Sequence, residues 1–237
     1  MIPPFASHPL VQQFNEIKKY FRQHETDDSR SRMREFRHYA RVIDLAGVEV
    51  AFDFVGSINF GQATAGSDVD IIMYLRCENS HDECTLRECR PFLEVENLLL
   101  RTLVQAYAET PYEVQIIDCI NLNLLEKELE RGDPTSSVLI RFAFYRSVCR
   151  LVNARLMRPY QRRLHRDSKL IEGMKPHVFA IFDSLSRNQQ HNLSMRKYQE
   201  RLQDCGVRLP ASIQERILAH FELHDEMDGN RPPRGAT

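Results

Sequence analysis

The sequence lacks several features that would assign it to a protein class at once. No uninterrupted apolar run among its 237 residues exceeds about five residues, whereas a membrane-spanning helix needs about 20. Its 32 basic and 33 acidic side chains leave a net charge of −1. This balance excludes a uniformly basic nucleic-acid coat protein, although it allows a local basic patch. Hydrophobic residues make up 42% of the chain, so wholesale disorder is excluded as well.

The sequence also shows neither a secretory signal nor a disulfide framework. Residues 1–4 lack the basic and then apolar layout of such a signal, so we expect a cytoplasmic protein without a membrane partner. Disulfides are then not expected for its six cysteines. Four possible soft ligands fall within thirteen residues, and only the last two have a zinc-like spacing: Cys77, His81, Cys84 and Cys89. We interpret this segment as a polar loop, with a zinc site as the alternative.

Hydrophobic periodicity divides the chain into a mixed first part and a helical second part. Before the turn signal Gly132-Asp133-Pro134, it predicts strands over residues 48–55, 69–75 and 112–120, and helices over 7–23, 26–45 and 91–109. After that turn, it predicts helices over residues 136–156, 169–185, 193–205 and 210–224. We therefore predict an α+β domain with a small mixed sheet over residues 1–134, an all-helical domain that closes the cleft over 135–228, and a disordered tail over 229–237.

A glycine-rich loop joins the first two predicted strands. The chain has only nine glycines, yet three lie within eleven residues of this loop: Gly56, Gly61 and Gly66. At Gly56 the missing side chain would let a ligand approach the backbone, and Ser57 adds a hydroxyl and an amide that suit a phosphate. Asp68 and Asp70 then open the second strand at alternate positions. Their carboxylates should therefore lie on one face, with the Cα atoms about 6–7 Å apart.

Two carboxylates placed side by side favour a bound cation. Each negative charge raises the pKa of the other unless positive charge neutralises both, and Mg²⁺ is the divalent ion that suits such oxygen ligands. The alternative is a strand that begins with two solvent-facing aspartates, which is hard to explain by packing because aspartate is rare in strands. A phosphate-holding turn beside such a pair is a layout for phosphoryl or nucleotidyl transfer.

This segment resembles the signature of the DNA polymerase β-like nucleotidyltransferase superfamily, G-S-x-x-x-G-x-x-x-x-x-S-D-h-D-h, where h is apolar. Every fixed position agrees: Gly56, Ser57, Gly61, Ser67, Asp68 and Asp70. The resemblance implies a polymerase β-like domain over about the first 130 residues, Mg²⁺ or Mn²⁺ as cofactor, and a nucleoside triphosphate, ATP above all, as donor. It also implies that Gly56, Ser57 and Ser67 bind the nucleotide, while Asp68 and Asp70 bind the metal ions and are catalytic.

The resemblance further implies a third catalytic, metal-binding carboxylate on a later strand, for which Asp118 is the candidate. Alternation along the predicted strand places Asp118 on one face with Val114 and Ile116, and Glu113 and Gln115 on the other. Glu113 is the second choice. In the alternative interpretation, Asp118 ends the strand and caps the helix that follows.

A basic stretch follows the predicted domain boundary. Between residues 141 and 166 there are eight arginines and no acidic residue. Apolar residues at helical spacing leave these arginines on other faces, and the patch favours a polyanion: a triphosphate, an RNA backbone or an acidic partner. The chain has six lysines against 26 arginines, so phosphate binding would depend mainly on arginine. Arg146 and Arg150, four residues apart on one predicted helix, are the nucleotide-binding candidates. The alternative is a solvated face balanced by nearby glutamates.

These observations and the resemblance together predict a metal-dependent nucleotidyltransferase. It would move a nucleoside monophosphate from a nucleoside triphosphate to an acceptor hydroxyl and release pyrophosphate. A chain of 237 residues suits an enzyme that modifies a small molecule or a protein, and we favour these acceptors over RNA. The alternatives are an RNA- or oligonucleotide-forming enzyme and a catalytically silent antitoxin-like or RNA-binding module. The acceptor, the base preference and the oligomeric state, a homodimer included, stay open.

Overall fold

Four strands and ten helices make up the part of the chain that the computed structural model describes, residues 4–45, 47–78, 89–106 and 112–222. The strands are β1 (Val50–Phe54), β2 (Val69–Leu75), β3 (Val114–Asn121) and β4 (Arg150–Leu151). The helices are α1 (Pro9–Gln23), α2 (Asp27–Leu45), α3 (Gly56–Phe60), α4 (Arg90–Ala106), α5 (Leu122–Arg131), α6 (Ser137–Val148), α7 (Ala154–Arg166), α8 (Ser168–Arg187), α9 (Gln189–Asp204) and α10 (Ala211–Phe221). Among these helices, none combines the length and apolar character needed to cross a membrane.

The strands form one mixed sheet in the order β3-β2-β1-β4. β1 is antiparallel to both β2 and β4, whereas β3 is parallel to β2. β2 is a central strand with an almost continuous apolar sequence, and six of its seven residues are buried, as expected for a strand covered on both faces. The prediction of an α+β fold with a small mixed sheet flanked by helices is confirmed.

Helices cover both faces of this sheet and form two hydrophobic clusters. One cluster joins α2 and α4 to one face, where the ring of Phe36 packs edge-on against Phe52 and Phe54 at centroid distances of 5.3 and 5.2 Å. The other cluster joins the opposite face to α1, α3 and the helices from α5 to α10. Helices from both ends of the chain therefore share one core beside the sheet.

The prediction that the second part of the chain is all-helical is wrong. The single helix predicted over residues 136–156 is two helices, α6 and α7, separated by β4. Arg150 and Leu151 pair with Phe54 and Asp53 at the edge of the sheet, and such a tertiary contact overrides local helical periodicity. The domain boundary at residue 134 stays a prediction, and the expected tail over residues 229–237 lies outside the described residues.

The segment with four possible soft ligands is described only at its ends. His81 and Cys84 lie outside the described residues. Cys77 and Cys89 are both buried, with their Sγ atoms 2.7 Å apart. The polar loop and its zinc alternative therefore stay predictions.

Candidate active site

The turn between β1 and α3 brings a glycine directly against an aspartate. Gly56 has a φ angle of +56°, in the left-handed region that favours glycine. A Cβ atom at this position would overlap the Oδ2 atom of Asp70. The two segments are also joined through the backbone, since the Val55 N–H donates to the Asp70 carbonyl at 3.0 Å. Glycine is thus required at residue 56 both by its backbone conformation and by the close approach of the Asp70 carboxylate.

Asp68 and Asp70 lie together at the start of β2 without a basic partner among the described residues. Asp68 accepts hydrogen bonds from Nε2 of Gln115 at 3.0 Å and from the Glu113 N–H at 3.4 Å. Burial raises the pKa of Asp70, and the neighbouring charge of Asp68 raises it further. A positive charge close to Asp70 would therefore favour its ionised form. Two such carboxylates fit a hard divalent cation.

The loop that carries Ser67 and Asp68 is fixed from the adjacent helix α2. Arg32 of α2 is buried, and its guanidinium donates to the carbonyl oxygens of Thr64, Ala65 and Ser67. The Ser67 hydroxyl, in turn, accepts from the Thr64 N–H at 2.9 Å. The predicted nucleotide-binding residue Ser67 therefore shapes its own loop. Sequence reasoning missed Arg32, although a basic residue on the apolar side of an amphipathic helix was a possible signal.

The facing that simple alternation predicts for Asp118 is wrong. β3 contains an irregularity at Ile117, so the β2–β3 register runs from Ile71 beside Ile116 to Ile72 beside Asp118. Asp118 therefore lies on the same face of the sheet as Asp70 and Gln115. Gln115 is directly beside Asp70. Asp118 is two positions further along the sheet, next to Ile72.

Asp118 also has partners that Asp68 and Asp70 lack. Nη1 of Arg141 donates to its Oδ1 at 2.6 Å, and the Tyr145 hydroxyl donates to its Oδ2 at 2.8 Å. Burial and the charge of Asp118 raise the pKa of Tyr145, so this hydroxyl keeps its proton and remains a donor. The second choice, Glu113, is an exposed residue that contacts Asp68 through its backbone.

The three predicted metal-binding carboxylates are not gathered into one cluster. Within the described ranges, no group of three histidine, cysteine, aspartate or glutamate side chains is placed to hold a metal ion. Asp68 and Asp70 form a pair that lacks a basic partner among the described residues. Asp118 would have to give up its ion pair with Arg141 to bind a metal ion with them. The metal site, with Mg²⁺ or Mn²⁺, stays a prediction. The β2–β3 register and the Arg141 contact both place Asp118 apart from the other two carboxylates.

The arginine candidates for nucleotide binding have carboxylate partners. Arg146 is only 8% exposed and forms an ion pair with Asp53, which is fully buried and also accepts from the Tyr74 hydroxyl at 2.5 Å. Arg150 lies on β4 and not on a helix with Arg146, and its Nη1 donates to Glu25 at 2.7 Å. The expectation that both arginines project from one helix face is wrong, because the chain leaves the helix at Cys149.

The rest of the basic stretch lies on α7 and is mostly exposed. Arg163 forms an ion pair with Glu130 at 3.4 Å. Four further arginines of α7 are exposed and have no ion pair within the described residues: Arg155, Arg158, Arg162 and Arg166. The eight arginines therefore fall into a structural group before α7 and a solvent-facing group on α7.

Two side chains complete the surroundings of Asp70. The Ser57 hydroxyl, predicted to bind nucleotide, is partly exposed and has no hydrogen-bond partner among the described residues. Tyr198 of α9 packs against Phe60 with ring centroids 5.5 Å apart. Burial, more than the nearby charge of Asp70, raises the pKa of Tyr198 to about 12. Tyr198 was missed because only the packing of α9 over α3 brings it to this site.

Searches of protein-family models, curated proteins and solved structures find no match to this chain. Its chemistry must therefore be argued from the site itself.

Proposed function

We propose that this chain is a metal-dependent nucleotidyltransferase that uses a nucleoside triphosphate, ATP above all, as donor. The observation that carries the proposal is the Gly56–Asp70 contact beside Asp68: two carboxylates without an internal cation face a turn in which side-chain bulk is excluded. The motif resemblance supports the same conclusion. Mg²⁺ or Mn²⁺, when bound by Asp68 and Asp70, would supply positive charge to the phosphates and lower the pKa of the acceptor hydroxyl.

The residues around this pair have distinct roles in the proposed reaction. The acceptor hydroxyl loses its proton to water and its oxygen forms a bond to the α-phosphorus. The bond from that phosphorus to the bridging oxygen breaks, and pyrophosphate leaves with the bond's electron pair. The free hydroxyl of Ser57 and the adjacent backbone would hold the triphosphate. Gln115 orients Asp68 through its 3.0 Å hydrogen bond. Asp118 would act only after it exchanges Arg141 for the cation or the acceptor. We favour a small molecule or a protein as acceptor, with RNA as the alternative.

The experiment that tests this proposal separates binding from transfer. Saturating ATP with Mg²⁺ or Mn²⁺ should raise the melting temperature of the wild type, because a ligand at 100 times its Kd stabilises the native state by about 2.7 kcal/mol. ATP labelled at its α-phosphate should then transfer label to an acceptor from panels of small molecules, proteins and RNA, with release of pyrophosphate. Asp70→Asn should lose the part of this stabilisation that depends on the metal ion, and its transfer should fall about 100-fold or more. Asp204→Asn, an exposed aspartate on α9, is the matched control and should lose neither. An unmoved melting temperature in the wild type would contradict the proposal.

A second candidate function is a nucleotide-binding module without transfer activity. Two observations favour it. Arg141 and Tyr145 both donate hydrogen bonds to Asp118, and the residue paired with Asp70 on β3 is an amide, Gln115. Metal-dependent stabilisation by ATP without pyrophosphate release, with every acceptor class tried, would select this function over the first.

A further inference from the structure

A basic cavity lies apart from the aspartate pair. It has a volume of about 590 Å³ and is formed by α1, the end of α6, β4 and α7. Five of its eleven lining residues are basic and none is acidic; the basic ones are Lys18, Lys19, Arg22, Arg146 and Arg158. The lining shares no residue with Gly56, Ser57, Asp68 or Asp70. A concave surface lined by one sign of charge concentrates ligands of the opposite charge, and this volume lies in the range of small-ligand sites.

Two of the five cations are buried, and their donors are incompletely used. Arg146 contacts Asp53 through Nη1, but its Nε is buried and has no hydrogen-bond partner. Lys18 is only 6% exposed, and its ammonium group donates to the Val148 carbonyl. Burial, followed by the charge of Arg22, lowers the pKa of Lys18 to about 7. A bound anion would accept a hydrogen bond from Nε of Arg146 and would stabilise the charged form of Lys18.

The other three basic side chains of the lining are partly or fully exposed. Arg22 is fixed in place, since it donates through Nε to the Asn59 carbonyl at 2.8 Å and through Nη2 to Oδ1 of Asn59 at 3.0 Å. Lys19 and Arg158 are exposed and form no ion pair within the described residues. Like charges repel, so a bound anion would stabilise this group beyond the ion pair that Arg146 already forms with Asp53.

We propose that this cavity binds an anion that carries a chain of two or more phosphate groups. Guanidinium groups donate pairs of hydrogen bonds to phosphate oxygens and lysine acts as a point charge, so the mixture present here suits phosphate. Since Arg146 is paired with Asp53, four basic side chains remain, which is more than one carboxylate or one monophosphate needs, and the volume is that of a small-ligand site. The ligand is either a nucleoside polyphosphate or an inorganic polyphosphate, which share this chemistry. The proposal does not depend on nucleotidyl transfer at Asp70.

The test uses the whole chain in the presence of EDTA, so that binding at the aspartate pair through a divalent cation is suppressed. Inorganic tripolyphosphate and ATP are titrated separately by calorimetry at low ionic strength. The double variant Lys19→Gln/Arg158→Gln removes the two exposed cations, whose loss should leave the fold intact. Its matched control is Lys169→Gln/Arg162→Gln, which removes two exposed cations outside the cavity.

We expect tripolyphosphate to bind the wild type and the control pair equally. Binding to Lys19→Gln/Arg158→Gln should be weaker by about tenfold or more, whereas Asp70→Asn should bind like the wild type. ATP binding tighter than tripolyphosphate would identify a nucleoside polyphosphate as the ligand, and equal binding would identify the phosphate chain alone; both support the cavity. Absence of tripolyphosphate binding, or equal weakening in the control pair, would overturn it. Loss of metal-dependent ATP stabilisation in Asp70→Asn, with tripolyphosphate binding kept, would separate the two sites.

Discussion

Two pairs of aspartates on the same face of the sheet have opposite surroundings. Asp53 and Asp118 each have an arginine and a tyrosine hydroxyl as donors, at distances down to 2.5 Å for Tyr74. Asp68 and Asp70 have no basic partner in the part of the chain that the structure describes, and their closest polar donors are an amide and a backbone N–H on Asp68. Four acidic side chains of one residue type thus divide into a neutralised pair and an unneutralised pair.

The difference follows from where α6 packs on the sheet. Asp53, Ile72 and Asp118 form one row across β1, β2 and β3, and the arginines and tyrosine of α6 contact both ends of that row. Asp70 belongs to the neighbouring row, which α6 does not neutralise. A buried carboxylate with an internal cation is part of the fold, whereas a partly exposed one without such a partner is open to water or to a bound cation. Asp53 is therefore a structural residue, and the contrast supports the proposed role of the Asp68–Asp70 pair in binding a cation.

The largest effect on stability should come from breaking the ion pair between Arg146 and the buried Asp53. Arg146→Met leaves the fully buried Asp53 with only the Tyr74 hydroxyl, and an unpaired buried charge costs about 3–5 kcal/mol. We expect chemical denaturation to show this loss in the free energy of unfolding. Arg162→Met, on the exposed surface of α7, should change stability by less than about 0.5 kcal/mol.

A double variant distinguishes charge from packing at the same position. Asp53→Asn/Arg146→Met removes both charges, so it should recover part of the stability that Arg146→Met loses. A loss below about 1 kcal/mol in the single variant, or no recovery in the double variant, would mean that Asp53 does not depend on Arg146 for its burial.

Sequence patterns predicted the centre of the sheet well and its edges poorly. The apolar run of β2 gave its bounds without error. At Gly56 the sequence predicts the approach of a ligand, whereas the group that the structure places against it is the Asp70 carboxylate. Alternation failed at Ile117, because one extra residue in β3 reverses which side chains share a face. Helical periodicity failed at Arg150, which pairs with β1. The partners of Arg146 and Arg141 were not predictable, since ion pairs between distant segments leave no local pattern.

A smaller effect on stability is expected from breaking the ion pair between Arg141 and Asp118, which is only partly buried. Arg141 and Asp118 have 19% and 16% of their side chains exposed, so Arg141→Gln should cost about 1–2 kcal/mol. The same change frees Asp118 and adds negative charge near Asp70. We therefore expect Mn²⁺ to raise the melting temperature of Arg141→Gln by more than that of the wild type. Equal shifts would show that Asp118 is too far along the sheet to assist the metal.

The smallest effect should come from removing a charge of the unneutralised pair. The pKa of Asp70 is raised in the native state by burial and by Asp68, so the ionised side chain opposes folding. This cost is absent below the unfolded pKa, grows as the pH rises from the unfolded to the native pKa, and is complete above the native pKa. Asp70→Asn should therefore stabilise the metal-free protein at pH 7 by less than about 1 kcal/mol, because a half-buried carboxylate keeps part of its hydration. The gain should shrink as the pH falls towards 4, and Asp204→Asn should show none. Thermal denaturation of the three proteins between pH 4 and 8 in EDTA measures this difference. A less stable Asp70→Asn at neutral pH would place a cation of the protein itself beside Asp70 and end the distinction between the two pairs.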